Sequence, residues 1–349
     1  MIVIAPDKFR GTLTARQAAV TIADALRRRG VKSPIFLYPM ADGGEGTGEA
    51  LAGDDVAEIS TGIRRLTTGD YVVTSADVIG HCNFSSDSDP LRRTSAPLGR
   101  VIAGILQHDS SDSRIYVGIG GTATVDCGAG LLYALGARFV MKDGSLRESV
   151  PTVYEFSDIV SIDFSGVDIE MLRRRVVTLC DVRASLLPDG DGLSMLSFAR
   201  QKGVDDEHMP VLREAARCFK SAVGCGDGIY DGAGGGTGFA LTNILGCEAH
   251  DGACMILSRL PVDSAEIECF ITGEGRIDAQ TSGGKVVAAV FERAAQLGVP
   301  AYAFGGCVEG PVDDRCIFST MRPGEKPPAS SEEARVRLWK AVFEAPVKL

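Results

Sequence analysis

Histidine is scarce in this chain, with four copies in 349 residues, and none of His81, His108, His208 and His250 stands near a cysteine at the short spacing of a zinc site. The ten cysteines contain no C-x-x-C pair and no regular framework. A structural zinc and a disulfide scaffold are both disfavoured, and buried thiols in a reducing compartment are expected. No apolar stretch approaches the ~20 residues of a membrane-spanning helix. The segment Met1 to Ala5 is strand-like and carries no basic leader, so a cytoplasmic location without membrane association is expected. Cations are in deficit, 36 Lys and Arg against 46 Asp and Glu, for a net charge of −10. Such a chain repels nucleic-acid phosphates and anionic lipid, so nucleic acid is not an expected partner, and an anionic substrate needs a local positive or N–H-rich pocket. A P-loop is missing too: Gly283-Gly284-Lys285 has Ala279 where the first glycine belongs and Val286 where the Mg2+-binding hydroxyl belongs.

Hydrophobic residues make up 45% and charged residues 23%, the balance of a chain able to build a packed core. The length exceeds what one core comfortably fills, so two domains are expected. Ile2-Val3-Ile4-Ala5 reads as a strand, Thr12 to Arg29 has helical spacing with Thr14 as N-cap and Gln17 as its capping-box partner, and Ile35-Phe36-Leu37-Tyr38 reads as the next strand. The C-terminal third repeats this order: Cys269 to Thr272 as strand, a glycine-rich loop, a helix from about Lys285 to Leu297, and Ala301 to Phe304 as strand. The expected fold class is therefore α/β in two domains. A Rossmann-like parallel-sheet domain is made from both chain ends, residues 1–65 and 262–349, and residues 66–261 form an inserted second α/β domain.

Glycines that follow strands and open helices offer backbone N–H groups at the positive end of a helix dipole, which suits phosphate or carboxylate. Any single such loop is better explained by a tight turn or close helix packing, and it is the four together that suggest anion handling. Gly118-x-Gly120-x-x-Ala123 also fits a relaxed dinucleotide fingerprint with Asp143 beyond it, so an NAD(P)-dependent hydroxy-acid dehydrogenase is a rival reading. The acids Asp7, Asp42, Asp181 and Glu274 each follow an apolar run, where open α/β sheets place their ligands. Lys8, Arg10, Lys202, Arg276 and Lys285 lie in or beside these loops as candidate anion clamps.

Taken in order, the loops resemble the bacterial glycerate kinase family. Ala5-Pro6-Asp7-Lys8-Phe9-Arg10-Gly11-Thr12-Leu13 is similar to its A-P-D-S-F-K-G-S-L, and Pro39 to Thr47 matches its P-M-A-D-G-G-E-G-T without a change. Ile119 to Asp126, Gln201-Lys202-Gly203, Gly234 to Gly238 and Ile271 to Thr281 follow in the family's order. Lys8 stands where serine is usual, Val125 where asparagine is usual, and Arg183-Ala184 where an acidic residue and asparagine are usual. The resemblance implies a two-domain kinase that phosphorylates D-glycerate, or a close hydroxy acid, with ATP and Mg2+, 2-phosphoglycerate being the favoured product.

On that reading Gly120, Gly121, Thr122, Lys202, Gly234, Gly235 and Gly236 cradle the phosphates, and Asp42, Glu45 and Glu274 hold Mg2+. Lys8, Arg10, Asp278, Gln280 and Thr281 meet the substrate, while Arg276 and Lys285 clamp its carboxylate. Asp181 is the preferred base and Asp7 the second choice. A catalytically degenerate small-acid-binding protein is a further alternative, and a homodimer is compatible with the sequence.

Overall fold

The structure is a computed structural model and describes residues 1–53, 58–278, 285–310, 316–322 and 324–347. Two compact units divide the chain, Met1–Asp42 with Asp251–Leu349 and, separately, Gly43–His250. Strands are numbered along the chain.

In the first unit β1 (Ile2–Ile4), β2 (Ile35–Leu37), β11 (Cys269–Ile277), β12 (Ala301–Val308) and β13 (Ile317–Ser319) form one sheet in the order β13-β12-β11-β1-β2. Every pair is parallel, and Ile2 lies opposite both Ile35 and Cys269. A strand buried on both faces needs apolar residues at consecutive positions, which is why Ile2-Val3-Ile4 has no polar alternation. One face is covered by the helices Ala15–Arg28 and Ser331–Glu344, whose Ile22, Leu26, Leu338 and Val342 pack on Ile2, Ile4 and Phe304. The other face receives Val287 of the helix Val286–Leu297 against Ile277 and Ala303. The capping box is formed at the start of the first helix: Gln17 N–H donates to Thr14 Oγ1 at 3.1 Å and Thr14 N–H to Gln17 Oε1 at 3.0 Å.

The second unit holds β3 (Glu58–Ser60), β4 (Ile63–Arg65), β5 (Tyr71–Thr74), β6 (Ile115–Gly118), β9 (Val176–Cys180) and β10 (Glu248–Asp251) in the order β10-β9-β6-β5-β4-β3. β5, β6 and β9 run parallel, whereas β3 and β4 are antiparallel additions at the edge. β7 (Arg138–Met141) and β8 (Ile159–Asp163) make a separate antiparallel pair. Phe219 sits at the aromatic centre of the core, with its ring 4.7 Å from that of Phe156, 6.2 Å from Phe139 and 6.3 Å from Phe239.

Two expectations are corrected. The contact boundaries fall at Asp42/Gly43 and His250/Asp251, not at 65 and 262. Residues 58–65 go with the second unit because β4 zips onto β5, Ile63 opposite Val73 and Arg65 opposite Tyr71. The glycine-rich stretch after Thr272 is also no loop, since β11 runs on through Gly273, Glu274 and Gly275 to Ile277. Those glycines admit backbone that a side chain would block: a Cβ on Gly273 would lie 2.4 Å from Phe304 O, and one on Gly275 would lie 3.1 Å from Arg10 N. Among the described residues no helix is long and apolar enough to cross a membrane.

Candidate active site

In the first unit the chain leaves the carboxyl ends of β1 and β2 and reaches Asp7 and Asp42. The backbone keeps the ladder going a little further: Asp7 N–H donates to Gly273 O at 2.8 Å, and Met40 N–H to Pro6 O at 2.9 Å. Asp7 is 6% exposed, and Glu274, on the adjoining stretch of β11, is buried as well. Lys8 Nζ lies 3.6 Å from Asp7 Oδ1 and 3.9 Å from Asp42 Oδ1. The Lys8 N–H donates to Asp7 Oδ1 at 2.7 Å. Burial raises the Asp7 carboxyl to about 7; the Asp42 charge adds to the rise, and Lys8 opposes it. A carboxylate that titrates near neutrality can accept a hydroxyl proton and later release it. Replacing Lys8 with methionine removes the opposing cation, so the Asp7 titration moves further up. An NMR titration of the aspartate carboxyl carbons would check this, and a midpoint that stays put or falls would sink the assignment of Lys8 as its counter-charge.

The remaining predicted residues of this unit are spread out. Arg276 is exposed and bonds Glu309 at 2.5 Å and Asp278 at 3.1 Å, so its guanidinium is engaged in surface ion pairs. Arg10 is exposed, and Lys285 is the half-buried N-cap of the helix Val286–Leu297. Gln280 and Thr281 lie outside the described residues.

In the second unit the loops after β6 and β9 come together with the glycine run at its start. Gly120 N–H donates to Gly43 O at 3.0 Å, and Ile119 N–H to Leu179 O at 3.1 Å. Gly120 has no room for a side chain, because a Cβ would lie 2.8 Å from Gly44 Cα and 2.9 Å from Asp181 Oδ2. The loop therefore rests directly on the Asp181 carboxylate. Glu45 is exposed. Lys202 and Thr122 are buried, and Lys202 Nζ donates to Thr122 Oγ1 at 2.8 Å and also to Thr122 O. Burial lowers the Lys202 ammonium to about 8, with Asp181 and then Asp126 pulling it back up.

The run Gly234–Gly236 backs the same loop. A Cβ on Gly234 would meet Ile119 O at 2.7 Å, one on Gly235 Thr124 O at 1.8 Å, and one on Gly236 the Cys127 Cα at 2.4 Å. All three glycines have positive φ, and the run leads into a π-helical turn, Phe239–Ile244, rather than an α-helix. The dehydrogenase fingerprint lacks its frame as well. No helix follows Gly120-Gly121 directly, the next one being Ala129–Ala134, and Asp143 stands just past β7 of an antiparallel pair.

Sequence reasoning passed over Asp126. It is fully buried and accepts from Ser95 N–H at 2.7 Å, Ser95 Oγ at 2.9 Å, Gly128 N–H at 3.2 Å and Gly130 N–H at 3.1 Å. Burial raises its carboxyl above the usual range, with these donors opposing the rise. Its signal was an aspartate followed by glycines two and four positions on, which marks a side chain that bonds its own following backbone.

Among the described residues no group of three or more His, Cys, Asp or Glu side chains is gathered to hold a metal, so Asp42, Glu45 and Glu274 form no such cage. Mg2+ needs only one or two carboxylates when phosphate oxygens and water supply the rest.

Residues 2–321 match the model of the glycerate kinase family. The chain is 32% identical over 330 residues to a glycerate kinase of Bacillus cereus, covering 88% of this chain and 85% of the relative. It is 31% identical over 328 residues to a glycerate 2-kinase of Escherichia coli, covering 87% and 84%. A solved structure described as a glycerate kinase 2 from Salmonella typhimurium LT2 superposes with a TM-score of 0.74 at 26% identity, covering 99% of this chain and 96% of that one.

Proposed function

The chain belongs to the glycerate kinase family, and from that premise we propose that it transfers the γ-phosphoryl group of ATP to a hydroxyl of D-glycerate, with 2-phosphoglycerate as the favoured product. The observation that carries the chemistry is Asp7: a buried carboxyl at the carboxyl end of a parallel strand, with Lys8 between it and Asp42 and a proton affinity near neutrality. Phosphoryl transfer asks a protein for positioning and charge neutralisation, plus a group to orient or deprotonate the nucleophile. Asp7 supplies that group and is favoured over Asp181. As the substrate oxygen bonds to the γ-phosphorus, the bond from phosphorus to the β,γ-bridging oxygen breaks, ADP leaves, and the hydroxyl proton passes to Asp7 and then to water.

The first unit also offers Lys8 and Arg10 to the substrate carboxylate. In the second unit the Gly120 N–H is already bonded to Gly43 O, so it is the Gly121 N–H that the loop offers to the phosphates, with Gly234–Gly236 packed behind it. Mg2+, when bound with the nucleotide, would neutralise phosphate charge, and Asp42, Glu45 and Glu274 are the acids available to it.

The test is incubation of the purified protein with Mg-ATP and D-glycerate, following ADP release and identifying the product by NMR. Turnover giving 2-phosphoglycerate is expected. A 3-phosphoglycerate product would correct the position attacked, and ADP release no faster than without glycerate would overturn the reading.

A further inference from the structure

Lys202 was expected to touch nucleotide phosphate, but its surroundings point elsewhere. An ammonium removed from water must be matched by acceptors and negative charge, or folding expels it. Lys202 is 7% exposed. Its Nζ has both the carbonyl and the hydroxyl of Thr122 as acceptors, and Asp181 and Asp126 provide the negative field. The backbone that carries it is fixed from the other side, where Arg93 Nη1 donates to Lys202 O at 2.9 Å and Gly203 turns the chain with a φ of 92°. The amine is thus a strut between two pieces of backbone that lie 80 residues apart in sequence.

Its far end bears on the loop already described. Thr122 forms a β-bridge with Gly80, and the next residue, Ala123, donates its N–H to Ile79 O at 2.9 Å. Two residues before Thr122, Gly120 rests on the Asp181 carboxylate with no spare space. A shift of Thr122 therefore reaches Gly120 and Asp181 with little to absorb it. We propose that Lys202 is a positioning residue, whose ammonium holds Thr122 and so locks the Gly120–Thr122 backbone against Asp181, and that it does not itself bind the nucleotide. The catalytic part of this inference rests on the kinase reading above, whereas the binding part does not.

The experiment compares Lys202→Met with the unaltered enzyme after circular dichroism has established that the variant folds. Two readouts are taken: kcat with D-glycerate, and the ADP dissociation constant from calorimetry. Loss of positioning predicts a kcat lower by about a hundredfold with ADP affinity changed by less than about threefold. A loss of ADP affinity of about thirtyfold or more would make Lys202 a phosphate clamp, and an unchanged kcat would make it mere filling; either overturns the proposal.

If Lys202→Met does not fold, Thr122→Val and Thr122→Ser serve in its place. Valine keeps the shape and removes the hydroxyl acceptor, so kcat should fall by about tenfold, and serine should restore it. Equal rates in the two variants would refute the strut. Should the unaltered enzyme show no turnover with glycerate, the kinase reading fails by itself. ADP affinity in the Lys202 variant then still decides between a strut and a clamp.

Discussion

Asparagine in place of Asp7 should abolish turnover and, at pH 8, raise the melting temperature of the same protein. The two effects have one cause. Asp7 is buried, and burial, with Asp42 as the second contributor, raises its carboxyl from 3.8 to about 7 against the pull of Lys8. The sign follows from proton counts. Between those two pH values the folded chain keeps a proton that the unfolded chain has released, so stability falls as pH climbs through that window. Below it both states are protonated and nothing is lost. Above it the full cost of a buried charge is present, on the order of a few kcal/mol. Asparagine has nearly the same shape, keeps an oxygen for the Lys8 N–H, and carries no charge to bury. The variant should therefore match the unaltered protein near pH 4 and melt several degrees higher at pH 8, while kcat drops by at least about a hundredfold for want of a base. Calorimetric melts at the two pH values with a parallel activity assay check it. A variant that keeps its turnover removes Asp7 as the base, and one that melts lower at pH 8 refutes the stored cost.

Gly235→Ala should be the most damaging single methyl group that can be added to the second unit's glycine run. Gly235 has a φ of +68°, and a Cβ there would lie 1.8 Å from Thr124 O. That atom is backbone, bound into the loop that also carries Gly120, so it has no rotamer by which to step aside. Gly298→Ala is the matched control, with a φ of +69° and nothing within 4 Å of the added carbon. The control isolates the cost of the left-handed conformation, about 1 kcal/mol. Gly235→Ala adds backbone overlap to the same strain and should cost more than about 4 kcal/mol, or leave no folded protein to purify. Chemical denaturation of both variants measures the difference. Similar midpoints would mean that the run is held less tightly than its contacts require.

The parts of this molecule legible in its sequence are those set by neighbours along the chain. The Thr14–Gln17 capping box is decided within four residues. The apolar runs that became β1, β11 and β12 mark buried strands, that of β2 became a half-buried edge strand, and their order with the intervening helices brought both chain ends into one sheet. Where distant residues decide, the reading was incomplete. Glu58 and Ser60 of β3 are exposed, and β4 is held to β5 by an antiparallel pairing that no local periodicity announces. That is why residues 58–65 were assigned to the wrong unit. Gly273 and Gly275 read as punctuation, yet they lie within a strand because other backbone presses on them.

At the site, the acids at the strand ends were found by topology, since a turn after a buried parallel strand is where such acids gather. Lys202 could be marked as a cation beside glycines. That its charge is turned inward onto Thr122 is a fact of the fold, with no trace in the residues that flank it.

The position of β1 also sets a timetable for synthesis. This strand pairs with β2 on one side and with β11 on the other, and β11 begins at Cys269, long after β2 has ended at Leu37. A ribosome adding residues at ordinary rates takes on the order of ten seconds or more to cover that interval. The segment 43–250, compact by itself, has time to fold while the first strand still shows a row of unmatched N–H and C=O groups to whatever surrounds it, the condition in which strand edges pair wrongly. Nascent chains halted before Cys269 should accordingly hold a protected middle and a protease-sensitive beginning, and the beginning should become resistant only once the last third has emerged.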